Sequence, residues 1–344
     1  MKAVVYRGPE DVRVEQVAEP RIEQPTDAIV EVRTAAICGA DLFPFHGRTP
    51  GFEAGTVLGH EFVGIVRETG DAVDAVSTGQ RVVNTSMVLD GTCTACRAGR
   101  PTQCTGRALF GYSGVYPRLD GGQAELVRVP MADLVLAALP DTIADEAAVF
   151  LSDNLPTGYD AVERGGAKAG DTVCVLGLGA VGLMATMCAI DADTKVLAVD
   201  GVASRRELAA GLGAQPLAPE EAAEAVGVAT DGLGADVVVE AAGTQSALET
   251  ALRLARGRGV VSVVGAHFEP DYPLNNALMF ERELTLRFSI GDAGGHRARL
   301  LELITTGRLD PGRVVTHRLP LEQAADAYRL FDAREATKVV LSTA

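Results

Sequence analysis

Up to about residue 130 the chain sets short apolar runs between Gly, Pro and Asp. The runs are Ala3–Tyr6, Ala28–Ile37, Phe62–Glu68, Arg81–Asn84 and Gln123–Val129. Runs this short between frequent turns predict strands of a β-rich, barrel-like domain. Near residue 145 the texture changes. Asp145–Leu151 and Thr157–Gly165 read as helices, and from Thr172 strand and helix alternate. Strand Thr172–Leu176 is followed by a helical run, then strand Lys195–Asp200, helix Ser204–Leu212, strand Ala235–Ala242, helix Gln245–Ala255 and strand Gly259–Gly265. That alternation predicts a parallel sheet covered by helices. A late strand is expected at Glu283–Ile290, amphipathic helices at His296–Thr306 and Leu321–Ala333, and a last strand at Lys338–Leu341. The pattern contains no internal repeat.

Between the first strand and helix of the alternating half lies Gly177-Leu178-Gly179-Ala180-Val181-Gly182. Strand, glycine turn and helix in that order form a dinucleotide fingerprint. Gly177 permits the tight turn, Gly179 lets backbone approach a pyrophosphate, and Gly182 lets helix and strand pack closely. The phosphates would sit at the helix N-terminus, where free N–H groups and the dipole favour anions. Asp200 ends the next strand about 20 residues on, where a ribose 2′-OH is held. Arg205 and Arg206 follow it closely. The uncharged stretch Val173–Ile190 is nearly long enough to span a membrane, but its glycines and flanking polar turns speak against that.

At 344 residues the chain suggests two domains. Apolar residues are 47% and charged residues 22%, a globular composition. The net charge of −15 repels a phosphate backbone, so nucleic acid is a poor partner. The opening MKAVVYRGPEDVRV alternates like a strand and lacks signal-peptide architecture, so a cytoplasmic location is expected. In a reducing compartment the six cysteines read as metal ligands or core residues rather than disulfides.

Two clusters carry candidate metal chemistry. Cys38 ends a predicted strand, His60 and Glu61 stand in a Gly-His-Glu segment, and Asp153 precedes the alternating half. Three such ligands with one open position describe a catalytic zinc. Taken singly, each also reads as a buried cysteine, a core histidine or a helix-capping aspartate. Asp90, Cys93, Cys96 and Cys104 lie in a turn-rich stretch and point to a closed structural zinc. Cys174 and Cys188 fall on an apolar strand and helix and read as core.

Cys38-Gly39-x-Asp41, Gly59-His60-Glu61-x-x-Gly64, the Cys93/Cys96/Cys104 lobe, Leu151-Ser152-Asp153-x-x-Pro156-Thr157-Gly158-Tyr159 and the glycine fingerprint together resemble the zinc-containing medium-chain alcohol dehydrogenases, over essentially the full length. Phe110-Gly111-Tyr112-Ser113 and Thr316-His317-Arg318-Leu319-Pro320 resemble the branch of glutathione-independent formaldehyde dehydrogenases and threonine-dehydrogenase-like enzymes. The resemblance implies a GroES-like β-rich catalytic domain over 1–145 with a C-terminal return over 295–344, and a Rossmann doubly wound NAD-binding domain over 146–294. It implies a catalytic zinc on Cys38, His60 and Asp153, with Glu61 able to join or leave the metal and Asp41 orienting His60. The zinc would act as Lewis acid for hydride transfer between an alcohol, aldehyde or ketone and NAD(H). A homo-oligomer, dimer or tetramer, is expected, with Gly259–Gly265 and Glu283–Ile290 as interface strands.

Three positions depart from the family. Asp90 replaces the first cysteine of the lobe, Ala40 stands where a Ser or Thr is usual, and Phe43 replaces the branch's histidine. The last two remove groups that pass the alcohol proton to solvent, and His46 is the expected alternative relay. Phe43, Phe45, Phe110 and Asn154 are expected to line the substrate cleft. Two other readings use the same fold: NADH-dependent reduction of an iminium or activated alkene, and a non-catalytic NAD-binding protein.

Overall fold

A computed structural model describes residues 1–267, 272 and 274–343. The chain divides into two compact units. The first holds Met1–Asp153 and the return from Asp292, and the second is Asn154–Gly291.

The first unit is built on a seven-stranded sheet. Strands run across it in the order His317–Pro320, Val339–Ser342, Ala28–Ile37, Glu61–Thr69, Arg81–Val83 and Ala137–Ala138, with Leu126–Val129 also pairing to Ala28–Ile37. The last strand therefore lies beside one of the first. Val339 pairs with Ile37 and Leu341 with Ala35, antiparallel. One apolar cluster gathers Val30, Val32, Phe62, Val66 and Phe110, and a second gathers Ile37, Phe45, Leu58, Tyr328 and Leu341. The helix Ala324–Asp332 buries Ala327, Tyr328 and Phe331 on one face, the spacing its sequence predicts.

The second unit is a six-stranded sheet, every neighbouring pair of which is parallel. Its order is Gln215–Leu217, Lys195–Val199, Thr172–Leu176, Ala235–Glu240, Ala255–Val263 and Thr285–Phe288. Chain direction across the sheet reverses between Thr172–Leu176 and Ala235–Glu240, which makes that junction the topological switch point of a doubly wound fold. All five residues of Thr172–Leu176 are buried, as a run without polar alternation requires.

Several elements differ from the sequence reading. Asp145–Leu151 is one helical turn, Asp145–Ala148, followed by a 3-10 turn, Val149–Ser152. The strand expected at Gly259–Gly265 starts earlier, at Ala255. It runs through Ala255-Arg256-Gly257-Arg258-Gly259 because Arg256 Nε reaches Asp236 at 2.6 Å and Arg258 Nε reaches Glu283 at 2.9 Å. That strand is paired on both sides, so Gly259–Gly265 is not at an edge; among the described residues the sheet ends at Gln215–Leu217 on one side and at Thr285–Phe288 on the other. The strand Gln215–Leu217 and the helix Ala222–Ala229 have no counterpart in the sequence reading. The strand is short and carries Pro216, which only an edge position tolerates.

Candidate active site

In the first unit the strand Ala28–Ile37 delivers Cys38 at its end, in extended conformation. The chain then turns through Gly39–Asp41, and Asp41 Oδ2 accepts a 2.9 Å hydrogen bond from Cys38 N–H. Asp41 is wholly buried, and its Oδ1 lies 3.1 Å from His60 Nδ1, an ion-pair contact. Behind it Gln123 Nε2 donates to Ala36 carbonyl at 3.1 Å, and Tyr328 hydroxyl donates to Gln123 Oε1 at 2.9 Å. His60 enters just before the strand Glu61–Thr69. Gly59, at φ +98°, allows this approach, because a Cβ there would meet Gln123 Cγ at 2.4 Å.

Asp153 closes the 3-10 turn Val149–Ser152, and its Oδ1 accepts from Ser86 hydroxyl at 3.1 Å. Its Oδ2 is 3.8 Å from Cys38 Sγ and 3.9 Å from His60 Nε2. One ligand atom from each of Cys38, His60, Glu61 and Asp153 lies within 4.8 Å of the others. A tetrahedral zinc holds such atoms about 3.3–3.8 Å apart, given bonds of about 2.0–2.3 Å. Thiolate, imidazole and carboxylate converge at nearly this spacing, and buried Glu61 Oε1 meets no hydrogen-bond partner among the described residues. The residues present therefore fit a divalent zinc.

Burial pushes the Cys38 thiol up, and the Glu61 carboxylate adds to this. Burial also raises the Glu61 carboxyl, against the pull of Lys338 and His60. For His60 burial opposes the charged form, but Asp41 and Cys38 outweigh it and hold the imidazole well above its usual range. A cation among these groups satisfies all three at once, since it favours the anionic thiol and carboxylate and takes the Nε2 lone pair.

Glu61 is anchored by a residue that sequence reasoning missed. Lys338 Nζ donates to Glu61 Oε2, both side chains fully buried, with the ammonium 5.3 Å from the Phe150 ring centroid. Ser86 was missed too, and so was Tyr112, whose hydroxyl donates to the Ala40 carbonyl. The structure does not bring His46 into the group. His46 Nε2 lies 2.7 Å from Asp332 Oδ1, and Nδ1 lies 3.8 Å from Glu10 Oε1. Two expected cleft residues are core instead. Phe110 packs edge-on to Phe62 at 5.3 Å, and Phe45 packs on Tyr328 at 5.5 Å.

The lobe brings Asp90, Cys93, Cys96 and Cys104 together in the same way. Asp90 Oδ1 accepts from Thr92 N–H and Cys93 N–H, each at 2.7 Å, and these bonds hold its carboxyl far below the usual range. Cys93 caps the helical turn Thr94–Arg97, and backbone N–H groups of Cys96 and Thr105 lower its thiol to about 7. Burial and the neighbouring Cys93 and Cys104 raise Cys96 to about 12. Among the described residues none of the six cysteines forms a disulfide.

In the second unit Gly177 has φ +90°, and a Cβ there would meet Ala242 N at 2.7 Å. A Cβ on Gly182 would lie 1.8 Å from Gly177 carbonyl oxygen. Beside Gly179 there is open space, and Gly179 caps the helix Ala180–Asp191 with no side chain. The first-turn N–H groups, those of Ala180 and Val181 among them, are thus left for an anion. Asp200 Oδ2 accepts from Leu178 N–H at 2.7 Å and Oδ1 from Val202 N–H at 2.8 Å. Arg205 lies 3.8 Å from Asp200 Oδ2, and Arg206 donates to the Asp200 carbonyl at 2.8 Å.

A β-rich unit with a Cys-His-Asp cluster, joined to a doubly wound unit with a glycine fingerprint, defines the architecture of a zinc-dependent medium-chain dehydrogenase. Profiles of known families agree: the alcohol dehydrogenase GroES-like domain matches residues 24–141, and the zinc-binding dehydrogenase domain matches residues 180–306. A probable zinc-binding alcohol dehydrogenase of Mycobacterium tuberculosis is 39% identical over 341 residues, covering 98% of this chain and 87% of its own. The solved alcohol dehydrogenase from Thermus sp. ATN1 is 39% identical with a TM-score of 0.95, covering 99% of both chains. A solved NAD-dependent alcohol dehydrogenase is 28% identical with a TM-score of 0.89, covering 100% of both. The chain belongs to the zinc-binding alcohol dehydrogenases. Among the described residues no helix is long and apolar enough to cross a membrane.

Proposed function

We propose that this chain is an NAD-dependent zinc alcohol dehydrogenase of the cytoplasm, with the chemistry carried by the first unit and the cofactor by the second. The observation that carries the proposal is the approach of Asp153 Oδ2 to both Cys38 Sγ and His60 Nε2, at 3.8 and 3.9 Å. Cys38, His60 and Asp153 would hold the zinc, and Glu61 would exchange on and off it. When bound, the metal supplies Lewis acidity at the substrate oxygen and the dinucleotide supplies or takes the hydride.

The chain's own residues do the positioning. Asp41 fixes the His60 ring through Nδ1, so that Nε2 faces Cys38 and Asp153. Ser86 holds one oxygen of Asp153 and leaves the other facing the cluster. Asp200 would accept from a ribose 2′-OH, and its charge would disfavour a 2′-phosphate. Asp90, Cys93, Cys96 and Cys104 would hold a second, structural zinc. Self-association through the edge strand Thr285–Phe288 belongs to the same proposal, supported by the exposure of Phe280, Phe288 and Ile290.

The test is a metal count together with a panel of alcohols, aldehydes and ketones followed by NADH fluorescence. The chain has no tryptophan, which lowers the background. Purified protein that binds zinc and NADH yet turns over no member of the panel would remove the catalytic part of the proposal.

A further inference from the structure

Glu240 is a buried acid that the reaction does not use. It ends the strand Ala235–Glu240 with no exposure to solvent, so its charge must be met inside the protein. Oε1 accepts from Ala242 N–H at 2.9 Å and from Gly243 N–H at 2.8 Å. Oε2 lies 2.9 Å from His267 Nε2, which as N–H donates to it. The Glu240 carbonyl accepts from Val264 N–H at 2.8 Å and Gly265 N–H at 2.9 Å. One residue thus ties the turn after its own strand to the turn after the next strand. The fit is tight, since a Cβ on Gly265 would lie 2.7 Å from Glu240 Oε2 and 2.3 Å from Gly243 N.

Both turns lie at the C-terminal ends of parallel strands, where ligands bind in open α/β sheets. They sit on one side of the switch point. Asp200 follows the strand Lys195–Val199 on the other side. A dinucleotide whose adenosine ribose meets Asp200 and whose pyrophosphate meets the Gly177 turn must lay its nicotinamide half over the strands beyond the switch. The Gly177 turn touches this assembly directly: Ala241 N–H donates to Leu176 carbonyl at 2.8 Å. The His267 ring also meets the Phe288 ring edge-on, with centroids 6.4 Å apart, so a third strand end joins the cluster.

We infer that the Glu240–His267 pair is a clasp that shapes the half-site for the nicotinamide end of the cofactor, with His267 as a positioning residue. The inference rests on the proposed NAD-binding role of this unit. Removing the imidazole leaves Glu240 Oε2 buried without that donor and loosens the Val264–His267 turn. The hold of Oε1 on Ala242 and Gly243 is untouched. Among the described residues His267 meets Glu240 and Phe288, neither of which belongs to the adenosine half-site of Asp200 and the Gly177 turn.

The experiment measures binding of two probes to wild type, His267→Ala and His267→Gln: NADH by fluorescence, and ADP by calorimetry. Thermal unfolding of each variant checks the fold. In His267→Ala, NADH affinity is expected to fall about tenfold, a loss of about 1.4 kcal/mol of binding free energy through the loosened turn, while ADP affinity stays within about twofold. A glutamine amide nitrogen sits near the imidazole Nε2 position and can donate to Glu240, so His267→Gln should regain most of the NADH affinity. Unchanged NADH affinity in His267→Ala, an equal loss for ADP, or a glutamine variant no better than alanine would each overturn the inference. Wild type that binds ADP but not NADH would defeat the NAD-binding reading itself, which separates that failure from this one.

Discussion

Lys338 Nζ and Glu61 Oε2 form an ion pair in which neither side chain has any exposure to solvent. The lysine takes one carboxylate oxygen, and Glu61 remains grouped with Cys38, His60 and Asp153. Breaking such a pair from one side leaves a buried charge without compensation, which costs about 3–5 kcal/mol. Lys338→Met is therefore expected to lower unfolding free energy by about that amount in urea titrations. Adding Glu61→Gln removes the stranded charge and should recover much of the loss. Equal destabilisation by the single and double variants would show that the charge pairing is not the cause.

The two clusters predict two zinc ions per chain. Cys93→Ser should lose one ion and lower the melting temperature. Cys38→Ser should lose the other and abolish turnover while leaving the lobe loaded. Elemental analysis of the dialysed proteins gives the counts. A single ion in wild type, retained by Cys93→Ser, would mean that the carboxylate of Asp90 serves only as the cap on Thr92 and Cys93.

Asp200 predicts NAD over NADP. Like charges brought together at a binding site cost several kcal/mol, so kcat/KM should favour NAD by about a hundredfold or more. Asp200→Asn keeps the side chain's size and removes its charge, and should shrink that ratio at least about tenfold. Steady-state kinetics with both cofactors decides. Equal use of both by wild type would place Arg205 and Arg206, rather than Asp200, in control of the ribose.

His46 separates a fastening role from a proton relay. With Asp332 at Nε2 and Glu10 beyond Nδ1, His46→Ala should lower the melting temperature by at most about 2–4 °C, the scale of a partly exposed pair. Alcohol oxidation should keep its pH profile. A fall in kcat at pH 7 of about 10²-fold that recovers at high pH would support the relay expected from the sequence instead.

The nucleotide-binding half was legible because its signals are local. Thr172–Leu176 is apolar throughout, the glycines stand within six residues, and Asp200 falls at the end of the next strand. Cys38, His60 and Asp153 were legible as residue types in motifs, though only the folded sheet brings their atoms together. Lys338 was not legible. A lysine at the start of a terminal strand reads as a solvated end, and its burial arises from pairing with a strand far away in sequence. Phe110 and Phe45 were misplaced for a related reason, since adjacency to a motif says nothing about which way a ring points. The early start of Ala255–Val263 was hidden because arginines flanked by glycines read as a turn until Asp236 and Glu283 come alongside.

The pairing of Val339–Ser342 with Ala28–Ile37 has a consequence for how the chain is made. Glu61 emerges from the ribosome 277 positions ahead of its counter-ion. The whole second unit, a continuous stretch, is translated in between. A nascent chain thus carries the Cys38–His60–Asp153 cluster in an unfinished sheet with an open edge, a state prone to mispairing. The surroundings of Glu61 take their final form only once Lys338 has been added, so chains cut before Lys338 should keep the doubly wound sheet and be defective at the Cys38–His60–Asp153 cluster.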